Sequence, residues 1–381
     1  MNNQNTILIK IPFSRPWVSV SDRNIVLKAL QNQWLTNGPY KKKFESNFSK
    51  YLNTKYSTAV SSGTSALHLA LKAIGITNND EVILPTFTFV ATDAVVNYCN
   101  AKSVLVDVDI DSFNISPNEI LKKITNKTKA IIVVHYGGQS CDMDQICKIA
   151  KKFDLSIIED CAHSLGAKFE NKMCGTLGDV SCFSFYPSKT ITTGEGGMIS
   201  TKHQKVSEKI KLLSSHGINI SINEREKNAT WNYDVEEIGY NYRLDELSSA
   251  LGYSQLKKIS TIIKKQRKIA EEYTKSLKNI KGIITPKIKY TRDHVFHLYT
   301  IRVTEEFQLT RDELFKKLHK RGIRSSVQYT PLHLMTYNKK KYQKTIDNFP
   351  NANLLKEQVI SLPIFPQMTR KEIKYILETF Y

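Results

Sequence analysis

The stretch that decides the fold is Leu155-Ser156-Ile157-Ile158-Glu159-Asp160-Cys161-Ala162-His163, a nearly continuous apolar run that ends in two carboxylates. A second run, Ala130-Ile131-Ile132-Val133-Val134, is apolar throughout. Strands covered by helices on both faces have this composition, because neither face meets water. We therefore expect both runs to be strands of a mainly parallel sheet.

Outward from these runs, short apolar segments alternate with helical patterns from about residue 56 to residue 201. We expect strands at residues 56–61, 81–84, 103–107, 130–134, 155–159, 179–185 and 197–201. Such alternation predicts an α/β fold, with a mainly parallel seven-stranded sheet and helices on both faces.

The pattern changes after Arg243. A long helical stretch covers residues 245–278, followed by a strand at 297–303 and a helix at 310–321. Further signals of regular structure occur at residues 325–329 and 369–380. We expect a large domain over residues 1–250 and a smaller α+β domain over residues 251–381.

Composition narrows the class of protein. The chain has 381 residues and a formal net charge of +19, but the excess lysine is spread along the chain and its densest runs are short. This favours a solvated basic surface over a nucleic-acid site, which stays an alternative. The six cysteines form no CxxC pair, so reduced thiols are expected. The first residues lack a signal-peptide pattern and no apolar run approaches about 20 residues, so we expect a cytoplasmic protein without a membrane span.

Three segments where strands are predicted to end carry polar groups that suit chemistry. The first, residues 61–71, passes from small residues into a helix, with Gly63 and Thr64 at the turn. Free N–H groups at a helix start suit a phosphate, although ordinary capping by Ser or Thr is the alternative.

The second segment contains Asp160, which could hold a cationic nitrogen if it is buried; a helix cap or a surface pair is the alternative. The third, residues 184–197, places Lys189 between an apolar strand and a glycine-rich turn. A lysine behind a sheet can have a lowered pKa and form a Schiff base, whereas most lysines are simply solvated.

In order and spacing, these segments resemble the DegT/StrS family of nucleotide-sugar aminotransferases, within the fold-type I enzymes that use pyridoxal 5'-phosphate (PLP). The similarity covers nearly the whole chain. It includes Trp34-Leu35-Thr36-Asn37-Gly38-Pro39, Val134-His135-Tyr136-Gly137-Gly138-Gln139, Ser215-His216-Gly217-Ile218 and Gly239-Tyr240-Asn241-Tyr242-Arg243.

The resemblance implies a role for each matching residue. Lys189 would form the Schiff base with PLP and move the proton, and Asp160 would pair with the pyridinium nitrogen. Phe89 would stack on the ring, unless it is a plain core aromatic, and His163 would lie near the phenolic oxygen. The phosphate would be held by Gly63, Thr64 and Ser184, and by Asn241 from a partner subunit in a homodimer with shared active sites.

The resemblance also implies a substrate class. We expect transfer of an amino group from an amino acid, L-glutamate by preference, to a 4-keto-6-deoxy nucleotide sugar for surface-glycan or related biosynthesis. The pattern over residues 134–144 is closer to relatives that act at C4 than at C3, and a 3-keto-sugar aminotransferase stays open.

Three other functions are alternatives. A sugar dehydratase of the same fold has His where this chain has Lys189. A regulatory protein would lack turnover, and a nucleic-acid-binding protein would explain the charge. One departure from the family concerns Gln328, which stands where many relatives have His in a His-Tyr-x-Pro-x-His pattern; Tyr329, Pro331 and His333 are kept.

Overall fold

The computed structural model describes residues 10–220 and 229–381. Its strands are β1 Tyr56–Val60, β2 Glu81–Pro85, β3 Lys102–Val106, β4 Thr128–Val134, β5 Ser156–Asp160, β6 Lys168–Phe169, β7 Lys172–Met173, β8 Val180–Ser184, β9 Gly197–Thr201, β10 Ile283–Ile284, β11 Arg292–Asp293, β12 Tyr299–Val303 and β13 Val359–Leu362. Its helices are α1 Val20–Gln31, α2 Pro39–Leu52, α3 Gly63–Ala73, α4 Ala91–Tyr98, α5 Pro117–Leu121, α6 Met143–Phe153, α7 Gln204–Ser214, α8 Glu246–Leu256, α9 Ile259–Leu277, α10 Arg311–Lys320, α11 Thr336–Tyr342, α12 Pro350–Gln358 and α13 Arg370–Leu377.

The main sheet has seven strands in the order β1-β9-β8-β5-β4-β2-β3. The pairs from β8 to β3 are parallel, whereas β9 runs antiparallel to both β8 and β1. The predicted α/β fold with a mainly parallel seven-stranded sheet is therefore confirmed. Since β9 reverses direction, the carboxyl ends of β1 and β8 lie at the same edge as those of the parallel strands.

Both faces of the sheet are covered, as the apolar runs predicted. Ile132 and Ile158 belong to the core cluster that includes α3 and α4, while Ile131 and Ile157 belong to the cluster that includes α6. Consecutive residues of one strand thus enter different cores, because side chains alternate across a strand.

A second, smaller sheet follows in the order β10-β12-β13, with antiparallel pairs and its own core. That core takes residues from α9, α10 and α13, and also Ile11 from the start of the described chain. The domain boundary near residue 250 remains a prediction. The start of α9 packs with the large domain, because Ile259, Ile262 and Ile263 share a core cluster with Phe44 and Phe48.

Several local expectations can be compared directly. The helical stretch at residues 245–278 consists of α8 and α9. At residues 325–329 the structure has neither helix nor strand, but a single bridge between Ser326 and Ser361. All six cysteines lie in the described ranges and are free thiols. The expectation about a signal peptide concerns residues outside those ranges. Across the residues that are described, no helix combines the length and apolarity that crossing a bilayer requires.

Candidate active site

The carboxyl edge of the main sheet collects most of the residues that the sequence singled out. Asp160 ends β5, Ser184 ends β8, and Phe89 lies in the loop after β2. Gly63 begins α3 just after β1, and Lys189 lies in the loop from β8 to β9. In open α/β sheets this edge is where ligands bind.

Asp160 is buried at the end of β5, so it is not a member of a surface pair. Its Oδ1 accepts the backbone N–H of Ala162 at 3.1 Å, and its Oδ2 accepts the hydroxyl of Thr92 at 3.3 Å. Burial raises the pKa of Asp160 above its ordinary value, against the effects of that N–H and of Lys189. A cation at the edge of the sheet would stabilise this carboxylate.

Lys189 is held in a tight turn, in which its backbone N–H donates to the carbonyl of Tyr186 at 2.8 Å. Burial lowers the pKa of the Lys189 ammonium to about 8, although the charge of Asp160 acts in the opposite direction. The amine is therefore available as a nucleophile or base near neutral pH, unlike a solvated lysine.

The start of α3 and the end of β8 meet at very short distance. A Cβ on Gly63 would lie 2.8 Å from the Cβ of Ser184, so only glycine fits there. Ser62 caps the helix by accepting the N–H of Ser65 at 3.0 Å, so the capping interpretation also holds. Gly63 and Thr64 form the first turn of the helix, beside the Ser184 hydroxyl, and this combination suits a phosphate.

His163 is buried and hydrogen-bonded at both ring nitrogens. Nδ1 accepts the backbone N–H of Gly137 at 3.3 Å, and Nε2 lies 3.0 Å from the hydroxyl of Tyr329. Burial lowers its pKa well below the ordinary value, and the nearby charge of Lys189 adds to this effect. The ring of His297 packs against it, with centroids 4.5 Å apart.

Phe89 is not a core aromatic, because 55% of it is exposed. Its ring centroid lies 6.0 Å from that of Tyr329, whose hydroxyl contacts His163, so both residues neighbour Tyr329. An exposed ring in the loop after β2, at the carboxyl edge of the sheet, is available to stack on a planar ligand.

Asn241 is exposed, and none of the contacts described for it joins its side chain to the other predicted site residues. Its backbone bridges Ser215, and the carbonyl of the next residue, Tyr242, accepts the N–H of Ser61 at 2.8 Å. A role toward the phosphate of a second chain remains a prediction.

The sequence pattern treated Glu159 and Asp160 as one acidic pair, but they face opposite ways. Glu159 is fully buried on the other face, where its carboxylate lies 3.0 Å from Nε2 of His135. It also accepts the N–H groups of Gly175, Leu177 and Gly178 at 2.6–2.8 Å. Glu159 thus anchors the loop after β7 and does not reach the site.

The segment from Gln328 to His333, which departs from the family pattern at Gln328, also reaches this site. Tyr329 contacts His163, whereas His333 lies deeper, where its Nδ1 contacts the hydroxyl of Thr86 at 2.7 Å and its Nε2 contacts Asn353 at 2.9 Å. Gln328 donates from Nε2 to Ser326 at 3.0 Å, and its backbone carbonyl accepts the hydroxyl of Tyr136 at 2.5 Å.

Sequence reasoning assigned no role to Thr92, His297 or Tyr329. His297 could have been found, because the apolar segment Val295-Phe296-His297-Leu298 predicts a buried histidine. Thr92 carries no such local signal, whereas Tyr329 is a kept position of the His-Tyr-x-Pro-x-His pattern, which by itself gave it no role.

The residues present fit PLP. Asp160 is a buried carboxylate with only two weak partners, which a pyridinium nitrogen would complement. Lys189 has a lowered pKa, and the first turn of α3, in which Gly63 lies against Ser184, offers backbone N–H groups that suit a phosphate.

Comparisons with known proteins agree with this site. The model of the DegT/DnrJ/EryC1/StrS aminotransferase family matches residues 18–381. A relative from Escherichia coli O157:H7, named GDP-perosamine synthase, is 38% identical over 375 residues, which cover 97% of this chain and 97% of the relative.

Solved structures are also similar to this chain. PseC from Helicobacter pylori, an aminotransferase involved in the biosynthesis of pseudoaminic acid, has a TM-score of 0.89 and 30% identity, covering 97% of this chain and 99% of that one. The PLP form of Spr1654 from Streptococcus pneumoniae also has a TM-score of 0.89 and 30% identity, covering 97% of each chain. The expected fold-type I architecture is thereby confirmed. The chain belongs to the DegT/DnrJ/EryC1/StrS aminotransferase family and is a PLP-dependent enzyme of that family.

Proposed function

We propose that the enzyme transfers an amino group from L-glutamate to the keto carbon of a 4-keto-6-deoxy nucleotide sugar. The observation that carries this proposal is the placement of Lys189, with its lowered pKa, beside the buried carboxylate of Asp160. The names of the relatives support the substrate class, since one is a GDP-perosamine synthase and another an aminotransferase in pseudoaminic acid biosynthesis.

Each site residue has a distinct task in this proposal. When bound, PLP supplies an electron sink that lets an amino group and a proton move between carbon atoms. Lys189 accepts and returns that proton, and Asp160 keeps the pyridinium nitrogen protonated. Phe89 stacks on the ring, and His163 lies beside its phenolic oxygen.

The phosphate is held by Gly63, Thr64 and Ser184. We also propose a homodimer in which Asn241 of one subunit completes the phosphate site of the other. Exposure of this asparagine beside the end of β1 supports that arrangement.

The test is an assay of the purified protein with UDP-, dTDP- and GDP-linked 4-keto-6-deoxy sugars and L-glutamate. Mass spectrometry should find the aminated product with one nucleotide, and NMR should find nitrogen at C4. Nitrogen at C3 would favour the 3-keto alternative, and loss of a hydroxyl without nitrogen would favour a dehydratase. No product from any sugar would contradict the proposed function.

A further inference from the structure

A chain of hydrogen bonds determines which nitrogen of His163 carries its proton. The backbone N–H of Gly137 donates to Nδ1 at 3.3 Å, so Nδ1 must be unprotonated. Since burial keeps this histidine neutral, the single ring proton lies on Nε2. Nε2 therefore donates to the hydroxyl oxygen of Tyr329 at 3.0 Å.

The loop that presents Gly137 is fixed by its surroundings. The carbonyls of Gly137 and Gly138 accept the N–H groups of Leu298 and Val295, both at 3.1 Å. A Cβ on Gly138, whose φ is +105°, would lie 2.7 Å from a methyl carbon of Val295 and 3.1 Å from the carbonyl oxygen of His163. Only glycine suits this conformation, so the orientation of His163 is built into the packing.

The hydroxyl hydrogen of Tyr329 must consequently point away from His163. The part of the chain that the structure describes offers this hydroxyl no second partner. Burial raises the pKa of Tyr329 well above its ordinary value, so the group stays protonated. Its ring centroid lies 6.0 Å from that of Phe89, and the nearby charges of Tyr136 and Asp160 add to the rise of its pKa, which places this hydroxyl beside the site.

We infer that Tyr329 is a further catalytic residue, whose hydroxyl donates a hydrogen bond to the keto oxygen of the nucleotide sugar. This inference rests on the proposed function. Negative charge develops on that oxygen when an amine attacks the carbonyl carbon, and a fixed donor stabilises it. Neutral His163 cannot relay a second proton through Nδ1, so the hydroxyl polarises the carbonyl without losing its own proton. His163 and Gly137 are positioning residues that aim it.

The test compares Tyr329→Phe with Tyr273→Phe. Both remove one hydroxyl from a ring that packs against a hydrophobic core: Tyr329 is partly buried, whereas Tyr273 is fully buried and donates at 2.8 Å to the carbonyl of Pro363 in the core of the smaller sheet. We expect Tyr329→Phe to lower kcat/KM for the keto sugar by roughly 10²–10³-fold, as loss of one such donor does. The shape of its pH profile and its affinity for PLP should not change, and Tyr273→Phe should keep wild-type kcat.

A Tyr329→Phe enzyme within about two-fold of wild type would overturn the inference, as would a loss of PLP affinity, which would assign the hydroxyl to the cofactor. Failure of the proposed function is distinguishable, because wild type would then turn over none of the sugars.

A second measurement needs no turnover. The keto sugar that wild type accepts is labelled with ¹³C at its keto carbon and bound to the Lys189→Ala protein. A polarised carbonyl should resonate downfield of the free keto form, and adding Tyr329→Phe should abolish that shift. An equal shift in both proteins would contradict the hydrogen bond.

Discussion

Glu159 and Asp160 are consecutive carboxylates of β5, and replacing each by its amide should have opposite effects on stability and activity. Glu159→Gln removes the charge that accepts three N–H groups at 2.6–2.8 Å and contacts His135 at 3.0 Å. Asp160→Asn removes a carboxylate with only two contacts, at 3.1 and 3.3 Å.

The magnitudes follow from these contacts. Breaking a buried, fully hydrogen-bonded pair costs about 3–5 kcal/mol. With roughly 2.1 cal/mol/K of unfolding entropy per residue, 381 residues give about 0.8 kcal/mol/K, so the Tm of Glu159→Gln should fall by about 4–6 °C.

For Asp160→Asn the expected change in stability has the opposite sign. The folded-state pKa of Asp160 is raised, so its favourable contribution is fully present below the ordinary value of 3.8 and is lost as the pH rises through the raised folded-state value. At pH 7 the buried charge destabilises the cofactor-free protein, and the neutral amide should leave the Tm unchanged or higher.

The assay is calorimetry of the cofactor-free variants at pH 7, together with kcat of the loaded enzymes. Asp160→Asn should lose roughly 10²–10³-fold in kcat, a loss typical of one electrostatic contact in a transition state, while Glu159→Gln should lose far less. The reasoning is refuted if Asp160→Asn lowers the Tm as much as Glu159→Gln does, or if it turns over at a near-normal rate.

Further expected outcomes concern the cofactor. Borohydride reduction of the loaded protein should leave the label on the peptide that contains Lys189, and a label on another lysine would contradict its role. The pKa of Lys189 is about 8 in the cofactor-free protein, so the unprotonated fraction of its amine increases with pH. The rate of covalent attachment of PLP should therefore rise up to about pH 8 and then level off. An attachment rate that does not change with pH in this range would contradict that pKa. Gly63→Ala puts a methyl carbon 2.8 Å from the Cβ of Ser184, and such overpacking costs about 1–3 kcal/mol. The displaced helix start should hold the phosphate less well, so the affinity for PLP, measured by absorbance titration, should fall about ten-fold. Refolding Asn241→Asp together with Lys189→Ala should restore about a quarter of all sites, since mixed two-fold dimers combine both defects in one site and leave the other intact. No recovery would show that Asn241 serves its own chain or only packs the interface.

Much of the fold could be read locally. The apolar runs at residues 130–134 and 155–158 are long enough, and free enough of charge, to be strands buried on both faces. In the structure they correspond to β4 and β5. The signal of regular structure at residues 325–329 did not yield a helix or strand, and the single bridge from Ser326 to Ser361 joins the segment to a distant strand, a contact that local periodicity does not reveal.

The sequence by itself determined the sheet, since apolar periodicity is a local property of the chain, and the resemblance of its short segments to the DegT/StrS family implied the cofactor and the roles of the candidate residues. Only the tertiary structure decided that Asp160 faces the site while Glu159 anchors a loop, because the phase of a strand depends on what covers each face. It alone brought Tyr329 to His163 across 166 positions, because contacts between distant segments depend on how whole elements pack and leave no periodic pattern in the chain.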